Sequence, residues 1–407
     1  MLLNGFFLVL TMTVSISPDD IPAIARELFE NHERYKKSEI TTRRFKHADL
    51  VRWLKQYEEQ KVIRSSPAGT SAEGRAIPLV EFGTGSTKVL LWSQMHGDEP
   101  TATMALVDIL NFFAQEPNHR VTKTLREQLT LLILPMLNPD GAERFQRRTA
   151  HGIDMNRDAI RLQTPEAKIL KTTQEAYKPE FGFNLHDQDP RYTAGASKNV
   201  TAIALLAPSV DEQKSETPGV RRAKHVVATF AGVMNLFISG HLARYDDTFE
   251  PRAFGDNVQK WGTSTVLVES GGWKNDREKM FLRKLNFTGI LTSLYAITTG
   301  AYQEAKLESY EQLPFNGKNL YDVIIRRAQV QLNANAPAVT VDIGINVEEQ
   351  KESASGTIHL VGKIVDIGDL SSFGAFEELD GTAMPILTGE QVHLEKVLPL
   401  VKGKKIF

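Results

Sequence analysis

The stretch Lys88-Val-Leu-Leu-Trp-Ser-Gln-Met-His96-Gly-Asp-Glu99-Pro-Thr-Ala-Thr103 decides the fold. Its first half is a nearly continuous apolar run, the pattern of a strand buried on both faces inside a parallel sheet. The run breaks into a polar loop carrying His96 and Glu99. Pro100 follows, at a position where the first turn of a helix tolerates a missing N–H. From Thr101 to Ala114 the residues Met104, Leu106, Val107, Leu110 and Phe113 keep helical spacing. Strand, polar loop, helix is the order that puts a ligand site at the carboxyl end of a strand. Imidazole nitrogen and carboxylate oxygen are both common zinc donors. A His and a Glu three apart are nonetheless a frequent pair on exposed loops, so the reading needs partners elsewhere in the chain.

Working outward, further apolar runs alternate with helical segments. Leu129–Leu137 reads as a second buried strand, ended by Asn138-Pro-Asp-Gly141, which reads as a turn. An Arg-rich loop follows, with Arg144, Arg147 and Arg148, and leads to Asn156-Arg157-Asp158. A helix is expected from Thr164 to about Ala176, then a strand Phe181-Gly-Phe-Asn-Leu-His186-Asp187 with a histidine at its end. Thr201–Ala207 gives another strand, Pro218–Ile238 a helix, and Thr263–Glu269 a strand that ends on a glutamate. Gly271-Gly272 breaks it, and a long helix is expected over Asp276–Thr298. Alternating strands and helices predict an α/β fold with a central mixed, largely parallel sheet and helices on both faces. Three strand ends then carry His96 and Glu99, His186, and Glu269.

The flanks differ from this core. Residues 1–65 are expected to be an N-terminal helical segment, with Ile21, Ile24, Ala25 and Leu28 on one stripe and Leu50, Trp53, Leu54 and Tyr57 on another. The first residues, MLLNGFFLVLTMTVSIS, are apolar but too short to span a bilayer as a helix. They fit either a degenerate signal peptide or an ordinary start, so the chain is expected to be soluble, cytoplasmic or exported. From about Tyr310 short alternating runs such as Ala338–Val347 and Thr357–Ile367 take over. They predict a small β-rich C-terminal domain over 310–407, after an α/β domain over 66–305.

Composition narrows the chemistry. At 407 residues, with 41% hydrophobic and 24% charged residues, the chain is long enough for more than one domain and ordinary for a globular protein. A net charge of −2 gives no reason to expect a nucleic-acid partner or an acidic membrane surface. There is no cysteine, which excludes disulfides, thiolate metal ligands and a cysteine nucleophile. Any metal must therefore be held by His, Asp or Glu.

His96-Gly-Asp-Glu99, Asn138-Pro-Asp-Gly141, Gly152-Ile-Asp-Met-Asn156-Arg157, His186 and Glu269 together resemble the zinc metallocarboxypeptidases related to carboxypeptidases A and B. The resemblance spans roughly residues 70–300. It implies one zinc per chain held by His96, Glu99 and His186, and a peptide or small peptide-like substrate. It implies hydrolysis of C-terminal peptide bonds by a zinc-activated water, with Glu269 as general base. Asn156 and Arg157 would hold the substrate's terminal carboxylate. Arg147 would polarise the scissile carbonyl, with the adjacent Arg148 a second candidate for the same match. Tyr245 is the nearest tyrosine for capping the substrate. The family usually reads Asn-Arg-Asn where this chain has Asn156-Arg157-Asp158. The extra negative charge is expected to weaken carboxylate binding or favour a basic substrate group.

The residue types suit that chemistry. Three protein ligands leave a fourth zinc position open, as a catalytic site needs. A carboxylate beside the attacking water can take its proton and pass it to the leaving amine. A guanidinium stabilises an oxyanion, and a second one binds a free carboxylate through two hydrogen bonds. A related zinc amidohydrolase, either a deacylase of N-acyl amino acids or a cell-wall peptide amidase, would use the same set.

Overall fold

A computed structural model describes residues 20–333, 335–351, 358–384, 386–388 and 397–399. The apolar start of the chain, read above as a signal peptide or an ordinary beginning, lies outside the described residues. No helix among the described residues is long and apolar enough to cross a membrane.

The run at Lys88 forms a strand because both of its faces are covered. Val89 and Leu91 pack into one core with the helices Thr101–Gln115 and Met280–Thr299, whereas Leu90 and Trp92 pack into a second core with Pro165–Tyr177 and Phe254–Lys260. An apolar residue at every position, rather than every second one, is what a strand between two helical layers requires. The body's strands are β1 (Arg64–Thr70), β2 (Ala76–Phe82), β3 (Thr87–Ser93), β4 (Leu129–Leu134), β5 (Phe181–Asp187), β6 (Thr193–Ala194), β7 (Ile203–Leu206), β8 (Leu242–Arg244) and β9 (Ser264–Ser270). All but β6 form one sheet in the order β1-β2-β4-β3-β5-β9-β7-β8. The pairs β3–β4, β3–β5, β5–β9 and β7–β8 are parallel, and the rest antiparallel. The sheet is therefore mixed, with a parallel centre.

Strand β3 lies between β4 and β5, so the chain leaves it toward one side and returns on the other. Such a reversal opens a crevice at the carboxyl ends of the strands. The loop with His96 and Glu99, the end of β5 with His186 and the end of β9 with Glu269 all reach that crevice. In the β5–β9 ladder His186 stands directly beside Glu269.

Some elements differ from the sequence expectation. Asn138-Pro-Asp-Gly141 is not a turn but the start of a short helix, Pro139–Arg144. The Asn138 side chain accepts from the Gly141 N–H at 2.9 Å, and Pro139 occupies the first turn. The helix Arg120–Gln128, not foreseen, starts where the His119 ring accepts from the Val121 N–H. The long helix begins at Met280 rather than Asp276, because the Asp276 carboxylate accepts the N–H groups of Phe281 and Leu282.

The N-terminal helices Asp20–Glu30, His32–Tyr35 and His47–Glu59 share the first core: Ile24, Leu28, Leu50 and Trp53 pack in one cluster with Leu106, Phe112 and Leu285. After the body, β10 (Asn316–Gly317) pairs with β6. A separate β-rich region follows, with β11 (Leu320–Gln331), β12 (Ala338–Lys351), β13 (Ile358–Gly368), β14 (Gly374–Asp380), β15 (Leu387–Thr388) and β16 (Val397–Pro399). It has a small core of its own, including Val323, Ile343, Ile345 and Ile364. Charged contacts tie it to the body. Glu349 takes Arg43 and Arg277, each at 2.6 Å, and Arg44, and Asp322 takes Arg191 at 3.1 Å. The three guanidiniums outweigh the burial of Glu349 and hold its carboxyl down at about 2.

Candidate metal centre and catalytic cleft

The loop after β3 is held by backbone close approach. Gln94 sits at φ 51°, and its side chain donates to the Gly97 carbonyl at 3.0 Å. A Cβ on Gly97 would fall 2.0 Å from the Gly141 carbonyl carbon. The helix begun by Asn138 therefore buttresses the loop, and only a glycine permits the contact. The positive φ of Gln94 costs on the order of 1–3 kcal/mol of local strain, the kind that clusters at functional sites.

His96, Glu99 and His186 are buried, and one donor atom from each lies within 4.8 Å of the others. The two Nδ1 atoms straddle the Glu99 carboxylate, at 2.8 Å for His96 and 2.7 Å for His186. Among the described residues no other such His/Asp/Glu group occurs. Burial alone would raise the Glu99 carboxyl, but the two imidazoles outweigh it and hold the group well below the usual carboxylate range. Burial alone would lower His96, yet Glu99 and Asp154 lift its ring to about 9. Burial lowers the His186 ring despite its contact with Glu99. Two imidazole nitrogens and a carboxylate oxygen converging within 4.8 Å are the donor set of a zinc-type cation.

The supporting contacts are specific. His96 Nε2 meets Asp154 Oδ1 at 3.0 Å, the carboxylate–histidine arrangement that orients a ligand ring. Sequence reading missed Asp154. The signal was its place in the Gly152-Ile-Asp154-Met-Asn156 block. Asp98, considered for that orienting part, bonds neither histidine; burial raises its carboxyl. The Asp187 N–H donates to Glu99 Oε2 at 3.1 Å. Its carboxylate, buried and raised by burial, accepts from Thr101 at 2.6 Å and meets Lys279 at 3.4 Å. Asp189 also lines the cleft and accepts from Arg191 at 3.0 Å.

A cleft of about 460 Å³ surrounds the triad and is lined also by Arg147, Asn156, Arg157, Tyr245, Glu269 and Asp256. Arg147 reaches Glu99 at 3.1 Å and Asp154 at 3.0 Å. Arg148 does not line the cleft, because its guanidinium donates to the Gly152 carbonyl at 2.9 Å. Asn156 Oδ1 accepts from the Phe254 N–H at 2.9 Å, which ties the cleft wall to the helix Phe254–Lys260. Arg157 meets Glu250 at 3.3 Å, while Arg252 takes both oxygens of that same carboxylate at 2.8 Å. Burial pushes the Glu269 carboxyl well up, and the nearby Glu99 charge adds to it. Tyr245 is raised too, first by Glu269 and then by burial.

The expectation for Asp158 is overturned. It is buried, accepts from the Gln163 and Thr164 N–H groups at 2.9 and 2.8 Å, and does not line the cleft. It caps the turn before the helix Pro165–Tyr177. Asp246, Glu250 and Asp256 are among the acidic residues that do line the cleft, and burial lifts Asp256 to about 7.

Residues 50–203 match the family model described as zinc carboxypeptidase. This part of the chain is similar to that family. It includes the metal triad, Arg147, Asn156 and Arg157; Tyr245 and Glu269 lie beyond it and join the site through β8 and β9. Similar proteins include carboxypeptidase 2 of Trichophyton tonsurans, 30% identical over 162 residues, 37% of this chain and 30% of that protein. Carboxypeptidase SOL1 of Arabidopsis thaliana is 26% identical over 204 residues, 46% of this chain and 39% of that protein. The chain thus spans about a third of the length of the curated relatives it matches. A metallo-carboxypeptidase from Burkholderia cenocepacia superposes with a TM-score of 0.48 at 17% identity, over 61% of this chain and 68% of that one.

The family is a zinc family, and the triad is placed to bind a metal ion. One zinc per chain is expected by elemental analysis, and His96→Ala or His186→Ala should lose it. Protein grown with zinc that carries no metal would refute this assignment.

Proposed function

We propose that this chain is a zinc-dependent carboxypeptidase that removes C-terminal residues from peptides. The observation that carries the reading is the triad in a cleft that also presents Glu269, Arg147 and Arg157. Zinc, if held by His96, Glu99 and His186, would supply a Lewis acid and a water acidified to a pKa of roughly 7.

The chain's own residues divide the remaining work. Glu269 Oε accepts the proton of the attacking water and later gives it to the leaving amine. Its buried place raises its affinity for that proton, which suits a group that must hold one in mid-reaction. Arg147 offers N–H donors to the developing oxyanion. Arg157 binds the substrate's terminal carboxylate; its own contact with Glu250 is a single one at 3.3 Å, because Arg252 holds both Glu250 oxygens at 2.8 Å. Asn156 supports the carboxylate from the neighbouring position, and Tyr245 covers the bound residue.

Arg157→Ala tests the exopeptidase reading. Truncating one partner of a desolvated charge pair costs roughly 2–5 kcal/mol, so kcat/KM for peptides with a free C-terminus should fall more than tenfold. Peptides with an amidated C-terminus should be poor substrates before and after. If the variant weakens free and amidated substrates equally, the exopeptidase reading fails and an N-acyl amino acid deacylase or cell-wall amidase takes its place.

A further inference from the structure

Beside the catalytic cleft lies a second hollow, of about 360 Å³, lined by Tyr192, Tyr245, Asp246, Phe315, Asn316 and Lys318. It shares Tyr192, Tyr245 and Asp246 with the cleft, so the two adjoin. Its other wall is not part of the body's sheet. It is the segment that leads into the β-rich region. Asn156, Arg157, Glu250 and Asp256 line the cleft but not this hollow.

The wall is built rather than loose. β10 pairs with β6, with Asn316 opposite Ala194 and Gly317 opposite Thr193. The Gly195 N–H donates to the Phe315 carbonyl at 2.9 Å, and the Arg244 N–H to the Pro314 carbonyl at 2.7 Å. The Asn316 amide donates to Gln188 at 2.7 Å. A Cβ on Gly317 would fall 2.0 Å from the Gly195 carbonyl oxygen, so the two segments touch as closely as backbone allows. Phe315 is nevertheless 47% exposed, a large apolar ring left open to solvent. The Arg244 guanidinium lies 4.6 Å from its centroid and holds the ring in place. An exposed aromatic on a clamped backbone, beside a catalytic cleft and next to two further phenol rings, is a preformed surface for a substrate side chain.

We propose that this hollow is a subsite for the part of a peptide on the N-terminal side of the scissile bond, and that it favours an apolar or aromatic side chain there. The inference rests on the carboxypeptidase reading. If the substrate's last carboxylate is held at Arg157, the rest of the peptide must leave the metal over residues that do not include Arg157. The hollow adjoins the cleft and meets that condition. The segment entering the β-rich region then takes a direct part in substrate choice.

The test compares kcat/KM for an N-blocked dipeptide with that for a pentapeptide having the same last two residues and phenylalanine farther upstream. Three proteins are measured: wild type, Phe315→Ala and Phe315→Trp. Wild type should favour the pentapeptide, on the order of tenfold for one buried aromatic side chain. Phe315→Ala should bring that ratio close to one, and Phe315→Trp should keep it. Pentapeptide affinity, measured by calorimetry in the Glu269→Gln background, should fall with Phe315→Ala in the same proportion. If wild type cleaves both peptides with no preference, or Phe315→Ala keeps the ratio, the subsite is refuted and the carboxypeptidase reading stands. If wild type releases no C-terminal residue from either peptide, the carboxypeptidase reading fails and the subsite falls with it.

Discussion

Glu269→Gln is expected to keep zinc and bind substrate, yet to turn over about 10²- to 10⁴-fold more slowly, the usual cost of losing a general base. The substitution keeps the shape of the side chain and removes only its basicity. Glu269 is outside the metal triad, so zinc content by elemental analysis should match wild type. Its position explains why no other group can stand in. It is the register neighbour of His186 across the parallel β5–β9 pair, so its carboxylate is fixed beside the metal donors by two strands of the central sheet. The other carboxylates near the triad are committed: Asp154 to His96 and Arg147, Asp187 to Thr101 and Lys279. The glutamine should also lessen repulsion from the Glu99 charge, which reaches Glu269 in the native site. Stability should therefore not fall, and lost turnover cannot be put down to unfolding. A Glu269→Gln variant that retains wild-type kcat would overturn the assignment of the base.

What the sequence disclosed, and what it withheld, follows from the range of the interactions. The strand at Lys88 was legible because burial on two faces leaves a local mark, an apolar residue at every position. His96, His186 and Glu269 stood out because each ends such a run. That His186 and Glu269 are cross-strand neighbours was not legible, since it depends on which strands pair, and their positions are far apart in the chain. The same holds for Asp154, whose partner His96 lies 58 residues away. Arg147 and Arg148 are adjacent and identical in type, so only the fold shows which one faces the cleft. Asn138-Pro-Asp-Gly141 misled for another reason. Asn followed by Pro satisfies a turn and a helix start equally well, and the choice is made by packing against Gly97. Asp158 was misread because a charge next to Arg157 in sequence was taken to be next to it in the site.

The largest expected effect on stability lies far from any motif. Arg283 and Asp108 are 1% and 0% exposed and form a two-pronged ion pair at 2.7 and 2.6 Å. Four further groups converge on them. His32 Nε2 lies 2.9 Å from the Asp108 carboxylate, the Lys37 N–H donates to it at 2.7 Å, and Arg283 donates to the carbonyls of Lys37 and Ile40 at 2.9 Å. The cluster joins the helices Thr101–Gln115 and Met280–Thr299 to the loop after the first N-terminal helices. Asp108→Ala would leave a buried guanidinium without its countercharge, which typically costs about 3–5 kcal/mol. Such a loss should show as a clearly lower denaturant midpoint at unchanged slope. Asp108→Leu combined with Arg283→Met removes both charges and keeps most of the volume. It should recover a large part of the loss, because each charge is costly chiefly when left alone. His32 and the backbone groups of Lys37 and Ile40 would still be left without partners, so recovery should be incomplete. If Asp108→Ala costs less than about 1 kcal/mol, the value of an exposed pair, water must reach Arg283 and the N-terminal helices do not seal this face. If the double variant is no better than Asp108→Ala, the cluster stabilises through its hydrogen bonds to the loop rather than through its charges.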